Sequence, residues 1–301
     1  MVREATLDDI AAGVRVLTAA EPETLFSPEG YRHSWTVTPA EACRTWWCAE
    51  AGGAIVGWAT CGLMVETAEP RVGWLGLAVQ PEYRNSGFGS ALYEAAEHHA
   101  RVIGAARLVV WSRGDDASTT FARKRGYEQT GSAELLVVDP REIGPPAPPA
   151  GVELRSFAEL AHDPRPVYDV DAAAMSDEPG DTHFDAVEYD YWLDRFWRQP
   201  LLDHDASMAV LVEGVVVCIT LLLTDPPSGR ALNNGTATLR EHRGRGLATL
   251  AKQASLTRAA ELGCTAAYTG NNADNAPMLA INRKLGYRRC ATECSWSKPL
   301  A

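Results

Sequence analysis

Two short segments of the chain combine glycine and arginine in a spacing that suits the binding of an anionic group. In Arg243-Gly-Arg-Gly-Leu-Ala248, the glycines let the backbone close on a ligand and the arginines supply charge-assisted hydrogen bonds. Residues 231–239 before it are typical of a strand, and apolar residues behind it recur at helical spacing. A strand, a tight loop and a helix N-terminus direct free backbone N–H groups and the helix dipole at the loop. The segment therefore predicts a pyrophosphate cradle.

The second copy of this pattern lies about 160 residues earlier. Arg84-Asn-Ser-Gly-Phe-Gly-Ser90 repeats the spacing Arg-x-x-Gly-x-Gly/Ala and is again followed by an apolar helical stripe. A Gly-Tyr pair follows each copy at nearly the same distance, as Gly126-Tyr127 and as Gly286-Tyr287. A single loop of this kind could serve only tight packing, but two with the same sequel indicate an internal duplication.

These motifs resemble the GNAT acetyltransferase superfamily, twice over. Arg243-Gly-Arg-Gly-Leu-Ala248 with Asn275-Ala-Pro-Met-Leu-Ala-Ile-Asn-Arg-Lys-Leu-Gly-Tyr287 is similar to the family pattern, and the first half matches the loop better than the end of the motif. The tandem arrangement is similar to that of mycothiol synthases. The resemblance implies an α/β fold with a mixed sheet in each of two tandem domains. It also implies an N-acetyltransferase that moves an acetyl group from acetyl-CoA to a primary amine of a small molecule or peptide.

The resemblance also implies where coenzyme A binds. Backbone of the fourth strand in each half pairs with the pantetheine arm, and the loop that follows cradles the pyrophosphate. The implied residues of the second half are Thr236, Ala237, Thr238, Arg243, Gly244, Arg245, Gly246, Leu247, Ala248, Thr249 and Asn275. Those of the first half are Leu77, Ala78, Val79, Arg84, Asn85, Ser86, Gly87, Phe88, Gly89 and Ser90.

The two halves differ at one of these positions. Asn275 stands where GNAT domains keep an asparagine beside the CoA arm, but the first half has Asp115 there. A carboxylate would repel a polyanion, so we expect the C-terminal half to be the working one, and one interpretation of the N-terminal half is a degenerate domain. A second CoA site in the first half stays open.

The catalytic acid departs from the family pattern in both halves. The usual general-acid tyrosine is replaced by Asn282 in the second half and by Ala122 in the first. An amide does not release a proton at neutral pH, so Asn282 can at best hydrogen-bond the sulfur. Tyr268 and His242 are the nearest alternatives, although each also fits a structural role. A general base is sought among the acids of residues 177–190, acting through water.

The acceptor side is the most open question in the sequence. Residues 162–205 contain twelve Asp or Glu against three Arg, interleaved with aromatic residues. One interpretation is a solvated amphipathic helix pair, with aromatic rings inside and acids outside. The other is an acceptor wall, because acids beside aromatic faces suit a protonated amine. The candidate substrate residues in the second interpretation are Asp177, Glu178, Asp181 and Asp185.

The domain prediction follows from the duplication and from a proline-rich break. Residues 1–142 form an N-terminal GNAT domain, and 143–150 form a linker whose prolines remove N–H donors and favour extended geometry. Residues 151–301 form the C-terminal GNAT domain, which is the favoured active half.

Composition limits the remaining classes. A net charge of −11 argues against nucleic-acid binding, and no apolar stretch approaches the ~20 residues of a membrane span. The start of the chain lacks the pattern of a signal peptide, and the seven cysteines are scattered without a metal-binding spacing. We therefore expect a cytoplasmic protein, monomer or homodimer, with reduced thiols and no metal.

Two other functions are consistent with parts of the sequence. A non-catalytic CoA-binding module is possible because neither half keeps the acid tyrosine. A Rossmann-type nucleotide-binding protein is disfavoured, since the loops lie in the middle of each half and no acidic ribose partner follows at the expected spacing.

Overall fold

The computed structural model describes residues 1–175 and 184–300, and the chain divides into two compact units. Unit 1 contains Met1–Ser132 together with Thr292–Ala301, and unit 2 contains Ala133–Ala291. The boundaries of these units differ from those of the two sequence halves, because each unit includes the strand segment that ends the other half.

The described elements follow the same order in both halves. In the first half they are β1 (Val2–Glu4), α1 (Ile10–Ala20), α2 (Pro28–Val37), β2 (Thr45–Ala51), β3 (Ala54–Leu63), β4 (Val72–Val79), α3 (Phe88–Val102), β5 (Arg107–Arg113), α4 (Asp116–Arg123) and β6 (Glu128–Val138). In the second half they are β7 (Val152–Ser156), α5 (Arg165–Met175), α6 (Tyr189–Trp192) with a π-helical turn (Leu193–Trp197), β8 (Met208–Val212), β9 (Val215–Asp225), β10 (Arg230–Thr238), α7 (Leu247–Glu261), β11 (Ala266–Asn272), α8 (Ala276–Lys284) and β12 (Arg288–Pro299).

Unit 1 is built on a mixed sheet of strand order β1-β2-β3-β4-β5-β12. Neighbouring strands from β1 to β4 are antiparallel, β4 and β5 are parallel, and β5 and β12 are antiparallel. The parallel step needs a crossover, which α3 supplies. Strands β2 and β3 form a hairpin, with Glu50 opposite Ile55 and Ala51 opposite Ala54.

Unit 2 repeats this sheet in the order β7-β8-β9-β10-β11-β6. Strands β7 to β10 are antiparallel neighbours, β10 and β11 are parallel, and β11 and β6 are antiparallel. The helix α7 makes the crossover between the parallel strands, as α3 does in unit 1. The predicted mixed α/β fold is confirmed for each unit.

Both faces of the unit 1 sheet are covered, which explains the apolar run in β2. Trp46 and Cys48 pack with α1, whereas Trp47 and Ala49 pack with α3 on the other face. Successive residues of a strand point to opposite faces, so a strand buried on both sides has no polar alternation. Helices therefore cover both faces of this sheet.

The last strand of each half completes the sheet of the other unit, which the sequence did not indicate. Strand β6 pairs with β11 from Ala267 opposite Val138 to Asn272 opposite Ala133. Leu136 and Val138 of this strand are buried in the unit 2 core. Trp296 of β12 is 1% exposed and packs in the unit 1 core. The last strand of the first half is therefore buried in unit 2 and not in the unit that contains most of that half.

Residues 143–150 contain no helix or strand and lead from a short turn at Pro140–Glu142 to β7. They lie inside unit 2, where Gln253 Nε2 donates hydrogen bonds to the carbonyls of Gly144 at 2.9 Å and Pro145 at 3.2 Å. The side chain of Ile143 also packs against the unit 2 core. This proline-rich stretch is therefore held against α7 by the hydrogen bonds of Gln253.

None of the helices in residues 1–175 and 184–300 combines the length and apolarity that a membrane span requires. Across the same residues, no group of His, Cys, Asp or Glu side chains is arranged to hold a metal ion. The seven cysteines are free thiols.

The exchange of last strands predicts a long-range effect of a substitution near the end of the second half. Trp296→Ala should destabilise unit 1 by about 3–5 kcal/mol, because it leaves a cavity in that core. Hydrogen exchange should then speed up in β5 and α3, which lie in the first half of the sequence. Arg288→Ala, an exposed change on the same strand, is the control and should leave both units unchanged. Faster exchange confined to α7 and α8 would contradict the assignment of this strand to unit 1.

Candidate active site

The two glycine- and arginine-containing loops have the same backbone conformation. Each follows a strand, β4 or β10, and leads into a long helix, α3 or α7. Asn85 (φ 60°) and Gly87 (φ 88°) of unit 1 match Gly244 (φ 73°) and Gly246 (φ 78°) of unit 2. All four adopt the left-handed conformation, which glycine and asparagine tolerate best. The repeat seen in the sequence is therefore also a repeat of backbone geometry.

The arginines that open the two loops make equivalent hydrogen bonds. Arg84 Nε donates to the carbonyl of Val79 at 3.2 Å, and Arg243 Nε donates to the carbonyl of Thr238 at 3.0 Å. Each bond ties the loop to the last residue of its strand, and both arginines are exposed. The helix that follows contributes the N–H groups of its first turn, which have no acceptor inside the helix. Both loops therefore have the geometry of an anion cradle.

The two loops differ in charge. Residues 240–246 contain three arginines and one glutamate, but residues 81–87 contain one arginine and one glutamate. Charge-assisted hydrogen bonds to phosphate oxygens are stronger than neutral ones. The loop of unit 2 is therefore the better fit for a pyrophosphate.

Strand β10 has an open edge beside this loop. It pairs with β11 only from Arg230 to Asn233, opposite Ala266 to Thr269. Farther along, residues 235–238 still pair with β9, whereas residues 270–272 of β11 pair with β6. The two parallel strands thus diverge, and the free backbone groups of residues 236–238 are available to an extended ligand that adds to the strand edge.

Unit 1 has a similar gap between β4 and β5. Pairing of these strands is restricted to Val72, Gly73 and Trp74 opposite Arg107, Leu108 and Val109. Residues 75–79 of β4 pair with β3 alone, and β5 continues beside β12. The backbone at Leu77, Ala78 and Val79 therefore also lies at an open edge, as the family resemblance requires.

A β-bulge distinguishes the two edges. In β10 the register against β9 shifts between Asn233 and Gly235, so Asn234 is an extra residue. Strand β4 pairs with β3 without such a shift from Gly73 to Val79. A bulge re-aims the residues that follow it and is common beside active sites. Only β10 of these two strands has its open segment redirected in this way.

Asn275 and Asp115, the position that separated the two halves in the sequence, both cap helices. Asn275 Oδ1 accepts a hydrogen bond from Met278 N at 3.2 Å at the start of α8. Asp115 Oδ1 accepts one from Ser118 N at 2.7 Å at the start of α4, and its other oxygen lies 4.0 Å from Arg113 Nε. The capping role explains why either residue type suits this position. Contact of these side chains with CoA stays a prediction.

Asn282 lies in the interior of unit 2 next to the diverging strands. It is 0% exposed, and its Nδ2 donates to Asn271 Oδ1 at 2.5 Å. Asn271 is in the part of β11 that has left β10. The carboxamide oxygen of Asn282 has no hydrogen-bond partner among the described residues. This side chain can offer an acceptor or a donor at the gap, but no transferable proton.

The other two proposed acids are placed less favourably. Tyr268 pairs with Leu232 inside the closed part of the strand pair, and the guanidinium of Arg230 lies 5.2 Å from its ring centroid. Asn271, the hydrogen-bond partner of Asn282, is three residues after Tyr268 in the same strand, so the side chains of Tyr268 and Asn271 point to opposite faces. His242 lies in the loop, where its Nδ1 is 2.9 Å from Arg245 Nη1. The structure thus does not bring Tyr268 together with Asn282.

A buried lysine lies beneath the bulge of β10. Lys252 on α7 is 1% exposed, and its Nζ donates to Asn233 Oδ1 at 2.6 Å. Burial lowers the pKa of Lys252 to about 7. Asn233 Oδ1 also accepts from Thr236 Oγ1 at 3.1 Å, and Asn233 Nδ2 donates to Thr220 Oγ1 at 2.7 Å. The lysine is thereby linked to a threonine on the open edge.

The described part of the acidic, aromatic segment forms an aromatic core with acids around it. Trp192 and Trp197 are buried, and the ring of Tyr168 packs edge-on against Trp192 at 5.5 Å. One of these acids, Asp171, accepts a hydrogen bond from Trp192 Nε1 at 2.8 Å, and burial raises its pKa. The proposed acceptor residues Asp177, Glu178 and Asp181 lie outside the described residues, and Asp185 is half-buried.

Unit 1 contains carboxyl groups that titrate near neutral pH. Burial, and then the charge of Glu293, raises the pKa of Glu21 to about 7, and burial raises that of Glu293 to about 7. Glu23 forms an ion pair with Arg113 on β5. Glu293 belongs to the second half of the sequence, so a search for acids confined to one half could not have grouped it with Glu21.

Lys252 is the main site residue that the sequence analysis missed. It follows directly after the apolar residues Leu250 and Ala251, so the sequence pattern places it on the polar, solvent-facing side of the helix. Aligning the two halves on their arginine loops would have revealed it, because Tyr93 stands at the same position of α3.

Burial of Lys252 predicts an unusual dependence of stability on pH. Its pKa is about 7 when folded, against 10.5 for an exposed lysine, so the unfolded chain binds more protons between these values. The contribution to the free energy of unfolding therefore rises with pH from 7 to 10.5. The free energy of unfolding of Lys252→Met should exceed that of the wild type by about 2–4 kcal/mol at pH 6. At pH 10 the two free energies should differ little, because the buried lysine is then neutral.

Urea unfolding at several pH values would measure this difference. Lys284→Met, a change of an exposed lysine in the same unit, is the control and should leave the pH dependence unaltered. A difference between wild type and Lys252→Met that is the same at pH 6 and pH 10 would contradict the shifted titration.

Comparisons with known proteins agree with this geometry. The model of the acetyltransferase (GNAT) family matches residues 14–127 and, separately, residues 167–287. A mycothiol acetyltransferase of Saccharomonospora viridis is 29% identical over 237 residues, which cover 74% of this chain and 73% of that protein. An amino-acid acetyltransferase of Pseudomonas putida is 29% identical over 136 residues, 45% of this chain and 29% of that protein.

Solved structures share the fold over the whole chain. A GCN5-related N-acetyltransferase from Sphaerobacter thermophilus superposes with a TM-score of 0.74 at 16% identity, covering 99% of this chain and 95% of that chain. A tandem GNAT protein from the clavulanic acid biosynthesis pathway gives a TM-score of 0.73 at 22% identity, covering 99% and 98%. With the family model matched in both halves, the chain belongs to the acetyltransferase (GNAT) family as a tandem of two such domains.

Proposed function

We propose that this protein is an N-acetyltransferase that uses acetyl-CoA and a primary amine, and that transfer takes place in unit 2. The observation that carries the proposal is the open, bulged edge of β10, which leads directly into the arginine-rich loop before α7. An extended ligand with a pyrophosphate at one end and an acyl group at the other fits this arrangement. The GNAT family as a whole supports the choice of donor.

The residues of unit 2 divide the work of holding the donor. The loop from Arg243 to Gly246 and the first turn of α7 would hold the pyrophosphate. The backbone of residues 236–238 would pair with the pantetheine arm, and an N–H group there would stabilise the charge that develops on the carbonyl oxygen. The thioester supplies an activated acyl group, so the protein's tasks are orientation and charge stabilisation.

Proton transfer in this scheme does not depend on a tyrosine. Attack of the neutral amine forms the C–N bond and breaks the C–S bond, so the amine loses a proton and the thiolate gains one. Asn282 has no proton to give, and the Tyr268 side chain lies on the sheet face opposite to that of Asn271, the hydrogen-bond partner of Asn282. We therefore assign both transfers to water at the gap, with Asn282 as a hydrogen-bonding group.

The acceptor is proposed to be a small molecule or a peptide amine. The curated relatives are named for mycothiol and for amino acids, which supports the smaller acceptors. The acidic composition of residues 162–205 supports a cationic one by charge attraction.

A specific observation supports a second candidate, a CoA-binding module without catalysis. The positions of the acid tyrosine are Asn282 and Ala122, both buried, and neither side chain has a proton to transfer at neutral pH. Thiol release over a panel of amines, measured beside acetyl-CoA binding, separates the two functions. Binding without thiol release would favour the module.

The donor site is tested by charge reversal at the two loops. Arg243→Glu should weaken acetyl-CoA binding about tenfold or more in isothermal titration, because a carboxylate would face the pyrophosphate. The matched variant Arg84→Glu should have the smaller effect if unit 2 is the working half. Arg243→Lys keeps the charge but loses the hydrogen bond to Thr238, which separates electrostatics from loop geometry. Equal losses from Arg243→Glu and Arg84→Glu would show that unit 2 was wrongly preferred.

The acceptor site is tested by the charge of the amine. We expect thiol release with primary amines on basic scaffolds, with an acceptor KM that rises with salt because exposed charge attraction is screened beyond about 8–10 Å. Replacing Asp177, Glu178, Asp181 and Asp185 by their amides should raise that KM and leave acetyl-CoA binding unchanged. A preference for neutral or acidic amines would contradict acceptor binding by these residues and favour the interpretation of a solvated surface.

A further inference from the structure

Unit 2 has polar side chains, four buried and one half-buried, at five positions where unit 1 has apolar or aromatic ones. The correspondence follows from aligning the arginine loops and the strand registers that lead into them. Unit 2 has Lys252, Asn233, Thr236, Thr220 and Asn282 where unit 1 has Tyr93, Leu75, Leu77, Ala59 and Ala122. Four of the five unit 1 residues belong to one apolar core cluster and Leu77 packs against it.

This difference is not needed for the fold. Unit 1 has the same order of elements and the same diverging strands with apolar side chains at these positions. Burying a lysine is costly, and replacing a buried charge by an apolar residue of similar size is often stabilising. A costly group in an otherwise replaceable position indicates a role in function.

The hydrogen bonds of this group close around the bulge. Asn233 precedes the extra residue of β10, and Thr236 follows it. Lys252 and Thr236 donate to the same atom, because Asn233 Oδ1 accepts from Lys252 Nζ at 2.6 Å and from Thr236 Oγ1 at 3.1 Å. Thr236 Oγ1 also lies 2.8 Å from Thr220 Oγ1 on β9. The bulge is thereby clamped from α7 on one side and from β9 on the other.

Among the residues that the structure describes, no carboxylate forms an ion pair with Lys252. Burial alone accounts for its lowered pKa, and the other titratable group described beside it is the phenol of Tyr287, whose ring centroid is 5.3 Å from Nζ. Its one hydrogen bond described here goes to Asn233. The contact that Lys252 makes is therefore directed at the bulge.

We propose that Lys252 is a positioning residue for acetyl transfer in unit 2, which holds the bulge of β10 through Asn233 so that the backbone of residues 236–238 stays directed at the acyl carbonyl. The inference rests on the proposed function and adds a residue to it. It also accounts for the absence of the clamp in unit 1, where β4 has no bulge to hold.

The test compares Lys252→Met with the wild-type protein. Methionine fills a similar volume without donating a hydrogen bond, so the variant should fold and be at least as stable as the wild type at pH 7 or below. We expect kcat to fall about 10- to 100-fold, as misplacement of a reacting group does, with little change in the KM for acetyl-CoA. Lys252→Arg, which retains a donor, should recover part of kcat.

Ser255→Ala is the matched control. Ser255 lies on the same helix, is 1% exposed, and its hydroxyl makes no hydrogen bond to the described residues. Removing it should leave kcat unchanged. A loss of kcat in Ser255→Ala equal to that in Lys252→Met would show that α7 tolerates no change, and it would overturn the specific role of the lysine.

A second readout does not require turnover. The infrared band of ¹³C-carbonyl-labelled acetyl-CoA bound to the wild-type protein should be shifted from its position in solution, because the backbone of β10 polarises the carbonyl. In Lys252→Met the band should move back toward the solution position, while the Kd for acetyl-CoA stays within about threefold. The same band position in both proteins would overturn the proposal. If the wild type binds acetyl-CoA but transfers nothing, the proposed enzymatic function fails, and the band alone decides the role of Lys252.

Discussion

The open edge of β10 depends on the hydrogen bonds that β11 makes elsewhere. A strand that leaves its parallel neighbour exposes a row of backbone groups, and a buried row without partners would be costly. Strand β6 pairs with β11 along residues 267–272, so only β10 is left with unpaired backbone groups at the gap. A bound ligand can form hydrogen bonds with these groups. In unit 1, β12 does the same for β5. The antiparallel last strand is therefore what permits a gap in the middle of a sheet.

Much of this arrangement could be predicted from the sequence, because local patterns specify it. The hairpins, the two arginine loops and the order of the elements follow from alternation, turn residues and glycine. The destination of the last strands could not be predicted in this way. The apolar residues of β6 and β12 indicate a buried strand, but either sheet offers the same kind of edge. Only the packing of Leu136 and Trp296 in particular cores decides between them.

Some parts of the candidate site could also be predicted from local sequence patterns, whereas others depend on long-range contacts. The two loops could be located in the sequence because a phosphate cradle needs glycine and arginine at fixed spacing, and four of their residues have the left-handed backbone. That the loops bind a pyrophosphate stays a prediction. Lys252 could not be located in this way, since its importance comes from contact with Asn233, nineteen residues away across the helix–sheet packing. The acids of residues 177–181 lie outside the described residues, so their role in acceptor binding stays a prediction.

The strand exchange also has a consequence for the growing chain on the ribosome. Trp296 makes its hydrogen bond to Ser112 across a sequence separation of 184 residues. The nascent N-terminal part therefore carries an incomplete sheet, with β5 lacking its outer neighbour, throughout synthesis of the second part. An exposed strand edge of this kind is prone to association with other chains. Translation speed across the second half thus bears on the yield of correctly folded first half, and a gene fragment that encodes the first half alone lacks the strand that pairs with β5 in the full chain.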